Sequence, residues 1–240
     1  MRIHYLQHVP FEDLGNIENW ALAKGHQISR TQLFKDDPLP EPEEFDWLIV
    51  MGGPMNIYEE DEFPWLAREK VFIKDAIDSG KIVLGVCLGA QLVASVFGAR
   101  VHRNRYPEIG WFDVRLTDEA RESRVFKHFP GRFTAFHWHG DTFDLPPGCT
   151  WIAESDACRN QAFEYDGQVI GLQFHLDTTL ESIRRLIRYS GDELVPGEDV
   201  QSEEKILAQC GNLDDLREHS EMLLDCIEDE YGGLVRRQCL

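Results

Sequence analysis

The chain has 240 residues, 42% of them hydrophobic and 11% aromatic, which is enough to bury the core of one large α/β domain. It carries 24 Lys and Arg against 43 Asp and Glu, a net charge of −19, and a surface of that sign repels nucleic acids and anionic lipid. No apolar stretch approaches the ~20 residues of a membrane span, so neither nucleic acid nor a membrane is an expected partner.

Strand and helix patterns alternate through the first hundred residues. Segments 3–7, 27–33, 46–51 and 82–86 predict strands, and segments 14–24, 63–79 and 90–97 predict helices that each end at a glycine. This alternation predicts an α/β fold with a flavodoxin-like, open, mostly parallel sheet and helices on both faces. Ligands bind such sheets at the carboxyl ends of the strands, which is where Gly52-Gly53 and Cys87 fall.

The second half is richer in strand patterns. We predict strands at 110–116, 132–138, 150–153, 161–165 and 169–174, and then a helix at 178–189. Beyond residue 190 there are 14 acidic and four basic residues, with helices predicted at 202–210 and 213–231. We therefore expect a domain of residues 1–190 and an acidic helical C-terminal extension of residues 191–240 packed on it. The apolar face of the second helix could instead form a homodimer contact.

One cysteine lies where a nucleophile would. The apolar strand before it runs directly into Gly85-Val86-Cys87-Leu88-Gly89, and a helix follows. This spacing is typical of a nucleophile elbow, in which the glycines leave room for a sharp turn between strand and helix. The helix N-terminus favours a thiolate at Cys87, although a lone cysteine is more commonly a buried packing residue.

A candidate base follows a later strand. His175 comes directly after the apolar run that ends at Phe174, and Asp177 lies two residues further on. A thiol nucleophile needs a base, and the base needs an orienting group, so the three residues form a candidate triad. The order Cys, His, Asp differs from that of the α/β-hydrolases, in which the acid precedes the histidine.

The other cysteines do not indicate a metal site. They lie at positions 149, 158, 210, 226 and 239, without the close pairing of zinc ligands. We expect reduced thiols and no metal, as is usual in the cytoplasm. The N-terminus also begins as a strand and lacks the apolar core of a signal peptide. A cytoplasmic location is therefore expected.

Several motifs together resemble the class I glutamine amidotransferase family, and above all the amidotransferase domain of GMP synthase. The elbow around Cys87 and the run Gly171-Leu172-Gln173-Phe174-His175 carry most of this likeness. The sequences Met51-Gly52-Gly53-Pro54, Glu108-Ile109-Gly110-Trp111 and His139-Gly140-Asp141 occur in the expected order. The likeness covers roughly residues 45–185.

The resemblance implies the chemistry. Cys87 would attack the side-chain amide of glutamine and form a γ-glutamyl thioester, with His175 moving the proton and no cofactor taking part. Backbone N–H groups of Gly53 and Leu88 would form the oxyanion hole. The remaining substrate-binding positions of the family correspond to Gly52, Gln91, Gly110 and Trp111.

One departure from the family bears on activity. The family carries His-Pro-Glu where this chain has His175-Leu176-Asp177, so the shorter acid must still reach the histidine. We expect activity to survive. Three functions stay open: hydrolysis of glutamine with transfer of ammonia to a separate synthetase subunit, hydrolysis of γ-glutamyl peptides, and a catalytically weak binding or regulatory domain.

Overall fold

A computed structural model of the chain describes residues 1–238, so Cys239 lies outside the described part. The strands are β1 Arg2–Gln7, β2 Gln27–Gln32, β3 Trp47–Val50, β4 Ile82–Val86, β5 Val101–Leu116, β6 Arg132–Phe143, β7 Thr150–Glu154, β8 Ala162–Tyr165 and β9 Val169–Leu172. The α-helices are α1 Asn16–Ala23, α2 Trp65–Asp78, α3 Leu88–Val96, α4 Leu180–Ser190, α5 Glu203–Ala208 and α6 Leu213–Gln238. None of these helices is both long and apolar enough to cross a membrane.

All nine strands form one sheet, in the order β2-β1-β3-β4-β9-β8-β7-β5-β6. The first five of that order run parallel to one another, and the remaining pairings are antiparallel. Strands β1, β3 and β4 are almost wholly buried, which explains their continuous apolar sequences. The predicted α/β fold with a large, mostly parallel sheet is confirmed.

The longest strand was only partly predicted. Strand β5 begins at Val101, nine residues before the predicted start, and pairs with β6. Its first part is polar and contains Pro107, and the register with β6 shifts between Arg103 and Glu108. Such irregularities suit the rims of sheets, because they disrupt the ladder and redirect side chains. This part of β5 borders the cavity described below.

The C-terminal segment packs on the rest of the chain. Leu216, Leu223 and Ile227 of α6 are fully buried, in the same core that holds α1 and one face of the sheet. The indole Nε1 of Trp20 donates a 2.8 Å hydrogen bond to Asp225 of α6. The described apolar face of α6, up to Tyr231, is therefore covered within the chain.

Candidate active site

The carboxyl ends of four parallel strands meet at one edge of the sheet. The loop after β1 carries Glu12, and the loop after β3 carries Gly52-Gly53. Cys87 directly follows β4, and His175 follows β9. Parallel sheets bring their carboxyl ends together, so the fold alone collects these residues from positions far apart in the sequence.

Cys87 occupies a strained turn between β4 and α3. Its φ of 53° and ψ of −109° lie in a backbone region that residues other than glycine rarely adopt. The Cys87 amide donates a 2.7 Å hydrogen bond to the carbonyl of Leu172, the last residue of β9, which ties the elbow to the neighbouring strand. A Cβ on Gly85 would stand 2.7 Å from the amide nitrogen of Ala90, so glycine is needed for strand and helix to meet.

His175 lies between Cys87 and Asp177. Its Nδ1 is 3.1 Å from Oδ1 of Asp177, and Cys87 lies close enough to act on the imidazole electrostatically. Burial lowers the pKa of His175, but the Asp177 carboxylate and Cys87 outweigh burial and raise it well above its usual value. The shorter acid thus reaches the histidine. This arrangement can remove a proton from the thiol and hold it on the imidazole.

A polar clamp from α1 holds the backbone around Asp177. The Asn16 side chain donates hydrogen bonds of 3.1 and 2.9 Å to the carbonyls of Leu176 and Thr178. The Asn16 amide donates to the Asp177 carbonyl at 2.7 Å. These bonds fix the segment in which the family has a proline, so Asp177 keeps its place without one.

The glycine loop after β3 is tied to a buried ion pair. The His8 Nδ1–H donates to the Gly52 carbonyl at 2.9 Å, while its Nε2 is 2.8 Å from the Glu69 carboxylate. Burial lowers the pKa of His8, yet the two acceptors together raise it above its usual value. The imidazolium therefore links the loop to α2. Gly53 then lies beside Leu88, the first residue of α3, whose N–H has no acceptor within the helix.

The four predicted substrate-binding residues lie in two different places. Gln91 lines the cavity over Cys87 and donates to Gln173 at 3.1 Å, and Gly52 packs against the His175 ring. Gly110 and Trp111 lie under the C-terminal segment instead of on the cavity. The Gln201 side chain hydrogen-bonds the backbone of Trp111. Its Nε2 donates to the Trp111 carbonyl at 2.9 Å, and its Oε1 accepts from the Trp111 amide at 3.1 Å. The contact of these two residues with substrate stays a prediction.

The C-terminal segment completes the cavity. The Ile109 amide donates to the Asp199 carbonyl, and the Gln201 amide donates to the Ile109 carbonyl, in a short parallel bridge along β5. This bridge places residues 193–200 over Cys87 and His175, and the cavity encloses about 820 Å³. The lining residues that sequence reasoning missed include Glu12, Arg103, Arg105, Trp138, Glu193 and Glu198. Only the position of Glu12 after a parallel strand could have suggested any of them.

A buried polar cluster supports the strand next to the cavity. The Glu108 carboxylate is 3.1 Å from His139 Nε2 and 3.4 Å from His137 Nδ1, and all three residues are buried. Burial raises the pKa of Glu108, but the two histidines reverse this and hold it far below its usual value. The facing atoms are close enough to hold a metal ion. Trp138 lies between the two histidines in the sequence, and its carbonyl is 3.6 Å from the Cys87 sulfur.

Comparison with known proteins agrees with this geometry. The profile of the glutamine amidotransferase class-I family matches residues 16–188. The glutamine amidotransferase-like protein YfeJ of Salmonella typhimurium is 34% identical over 198 residues, which cover 81% of this chain and 83% of that protein. The chain belongs to the class I glutamine amidotransferase family.

More distant relatives include parts of GMP synthase. A glutamine-hydrolysing GMP synthase subunit of Saccharolobus solfataricus is 33% identical over 141 residues, covering 58% of this chain and 70% of that relative. Among solved structures, a glutamine amidotransferase from Thermotoga maritima is 32% identical and superposes with a TM-score of 0.85. That match covers 95% of this chain and 98% of the other, so it includes the C-terminal segment.

Proposed function

We propose that this protein hydrolyses the γ-glutamyl amide bond of glutamine through a thioester on Cys87. His175 takes the thiol proton as the sulfur attacks the amide carbon. The C–N bond then breaks, and the same proton goes to the departing nitrogen, which leaves as ammonia. Water next attacks the thioester with His175 again as base, and glutamate and the free thiol are released.

The observation that carries the proposal is the position of His175 between Cys87 and Asp177. Asp177 accepts from Nδ1 at 3.1 Å, so the other ring nitrogen is free to serve the sulfur. Strain at Cys87 supports the same conclusion, because the backbone keeps an unfavourable conformation at the residue that would react.

The glycine loop supplies the second element of the mechanism. In our proposal the Gly53 and Leu88 amides stabilise the oxyanion that forms on the amide oxygen. Such donors contribute about 10²–10³ in rate, because they are in place before charge develops. His8 holds the loop through Gly52, so the hole does not depend on substrate to form it.

The fate of the ammonia distinguishes two versions of the proposal. The similarity to a GMP synthase subunit supports transfer to a separate synthetase subunit. The cavity, at about 820 Å³, lies near the upper end of the roughly 300–1,000 Å³ that serve drug-sized ligands. That volume favours a second candidate, the hydrolysis of larger γ-glutamyl amides without any partner.

Release of glutamate from glutamine by the purified protein tests the proposal. The wild-type protein should release glutamate from glutamine, and the rate for Cys87→Ala should fall to background, a loss of about 10⁴ or more. Cys149→Ala is the matched control, since that thiol lies outside the cavity, and it should retain full activity. Equal activity in Cys87→Ala and wild type would refute the thioester. A folded wild-type protein inert toward every γ-glutamyl amide would favour a binding or regulatory domain.

A further inference from the structure

Glu12 places an unpaired carboxylate in the catalytic cavity. The Gln7 side chain donates 3.0 Å hydrogen bonds to the carbonyls of Val9 and Glu12, which fixes the loop after β1. Within residues 1–238 the Glu12 carboxylate itself has no hydrogen-bond or ion-pair partner. It lines the cavity together with Cys87 and His175. A half-buried acid without a partner is costly, which suggests that its partner is the ligand.

The Glu12 carboxylate and the His175 ring lie on the same side of the cavity. A Cβ added to Gly52 would collide with Oε2 of Glu12 and stand 3.5 Å from Cε1 of His175. The two groups therefore share the space above Gly52. In the proposed reaction His175 delivers the proton to the leaving nitrogen, so the substituents of that nitrogen lie close to Glu12. The glutamyl end is assigned by resemblance to the region of Gln91.

A second carboxylate reinforces the same charge. Glu193, in the segment that covers the cavity, acts on Glu12 electrostatically, as do His8, His175 and Asp177. Burial raises the pKa of Glu12 to about 7, with Asp177 and Glu193 adding to the rise and the two histidines opposing it. Above that pH Glu12 adds a negative charge beside His175. It attracts cations and repels anions next to the scissile nitrogen.

We propose that Glu12 selects the leaving group, so that the site accepts γ-glutamyl amides of ammonia or of amines with a second, cationic group. Amides of α-amino acids, which put a carboxylate beside the scissile nitrogen, are rejected. This inference rests on the proposed hydrolysis and deepens it. It also separates the two candidate substrates, because it favours glutamine and γ-glutamyl diamines over γ-glutamyl peptides.

Three small substrates with a neutral, a cationic and an anionic leaving group test the proposal. We would measure kcat/KM at pH 8 for the γ-glutamyl amides of ethylamine, of ethylenediamine as its monoamide, and of glycine. The cationic amide should exceed the neutral one, and the neutral one the anionic, by about tenfold at each step. Glu12→Gln should reduce the ratio of cationic to anionic at least about tenfold. The control Glu18→Gln, an exposed acid on α1, should leave that ratio unchanged.

Two outcomes would overturn the proposal. One is a wild-type preference for the glycine amide over the ethylamide, and the other is an unchanged ratio in a folded Glu12→Gln protein. If that variant does not fold, the pH dependence of the wild-type protein provides the test. The ratio of kcat/KM for the cationic amide to that for the anionic amide should fall between pH 8 and pH 6 as Glu12 takes up a proton. A constant ratio contradicts the proposal. His8, His175, Asp177 and Glu193 surround Glu12, so the neutral amide serves as the reference at each pH.

Binding separates this inference from the proposed hydrolysis. Calorimetry on Cys87→Ala gives the dissociation constants of the same three amides without turnover. The cationic amide should bind most tightly and the anionic amide most weakly, and adding Glu12→Gln should reduce these differences. That result supports the role of Glu12 even if the wild-type protein hydrolyses none of the amides. Equal affinities for the three amides would refute the role of Glu12, whatever the activity.

Discussion

The two walls of the cavity are built in different ways. One wall consists of the carboxyl ends of β1, β3, β4 and β9, where buried strands fix each residue through the backbone. The other consists of the irregular start of β5 and residues 193–200, joined by the short bridge at Ile109. The first wall holds the groups that would react, and the second limits what can reach them. Changes in the first wall should therefore alter kcat, and changes in the second should alter KM.

After Cys87 itself, the largest effect in the first wall is expected at Asp177. Asp177→Asn keeps the shape but removes the charge that orients His175 and stabilises its protonated form, so kcat should fall about 10²–10⁴. Asp78→Asn, at an exposed ion pair on α2, is the matched control. Turnover of glutamine by both variants provides the comparison. If Asp177→Asn is as active as wild type, Asp177 is not the orienting group.

A smaller effect is expected from the clamp behind Asp177. Asn16→Ala removes two hydrogen bonds to the carbonyls of Leu176 and Thr178, so Asp177 can shift by a fraction of an ångström. We expect kcat to fall about 10- to 100-fold at unchanged KM, with a loss of about 1–3 kcal/mol in the free energy of unfolding.

Asn19→Ala, an exposed change on the same helix, controls for the effect of alanine on α1. Urea unfolding and steady-state kinetics on both variants separate stability from positioning. A lower unfolding free energy with an unchanged kcat would mean that Asn16 is merely structural.

The second wall should respond differently. Gly110 has a φ of +126°, and a Cβ there would stand 2.6 Å from Oε1 of Gln201. Gly110→Ala should therefore displace the bridge at Ile109 and loosen the segment over the cavity. We expect KM to rise about 3- to 10-fold while kcat stays within about twofold, because uniform binding is lost and the reacting groups are untouched.

Gly131→Ala, at a glycine with open space around it, is the control for this change. Steady-state kinetics measures the expected rise in KM, and limited proteolysis at residues 191–201 measures the expected loosening of the segment over the cavity. A fall in kcat at constant KM would mean that the two walls are not separable in this way.

Sequence reasoning identified the reacting groups of the first wall well, but it missed Glu12 in that wall and most of the second wall. Cys87 was predictable because Gly85 and Gly89 mark a local turn, and His175 because an apolar strand leads directly to it. Glu12 and Glu193 carry no such local signal. Their approach to His175 depends on how a loop and a late segment pack, which is tertiary information.

Gly110 shows what a sequence motif leaves open. Its sequence context resembles the family, yet Gln201, some ninety residues later, occupies the backbone next to it. A single sequence does not reveal which segment will cover a motif. The opposite holds at Asp177, where the loss of the family's proline is compensated by Asn16, on an element 160 residues earlier.

The most direct test of the central claim is covalent labelling with a glutamine-mimicking electrophile, located by mass spectrometry. Burial raises the pKa of Cys149 to about 12 and that of Cys158 to about 11, so these thiols should stay unmodified near neutral pH. We predict one adduct per chain, on Cys87, and none in Cys87→Ala. Modification spread over several cysteines, or no adduct on a folded protein, would contradict an activated thiol in a glutamyl-binding cavity.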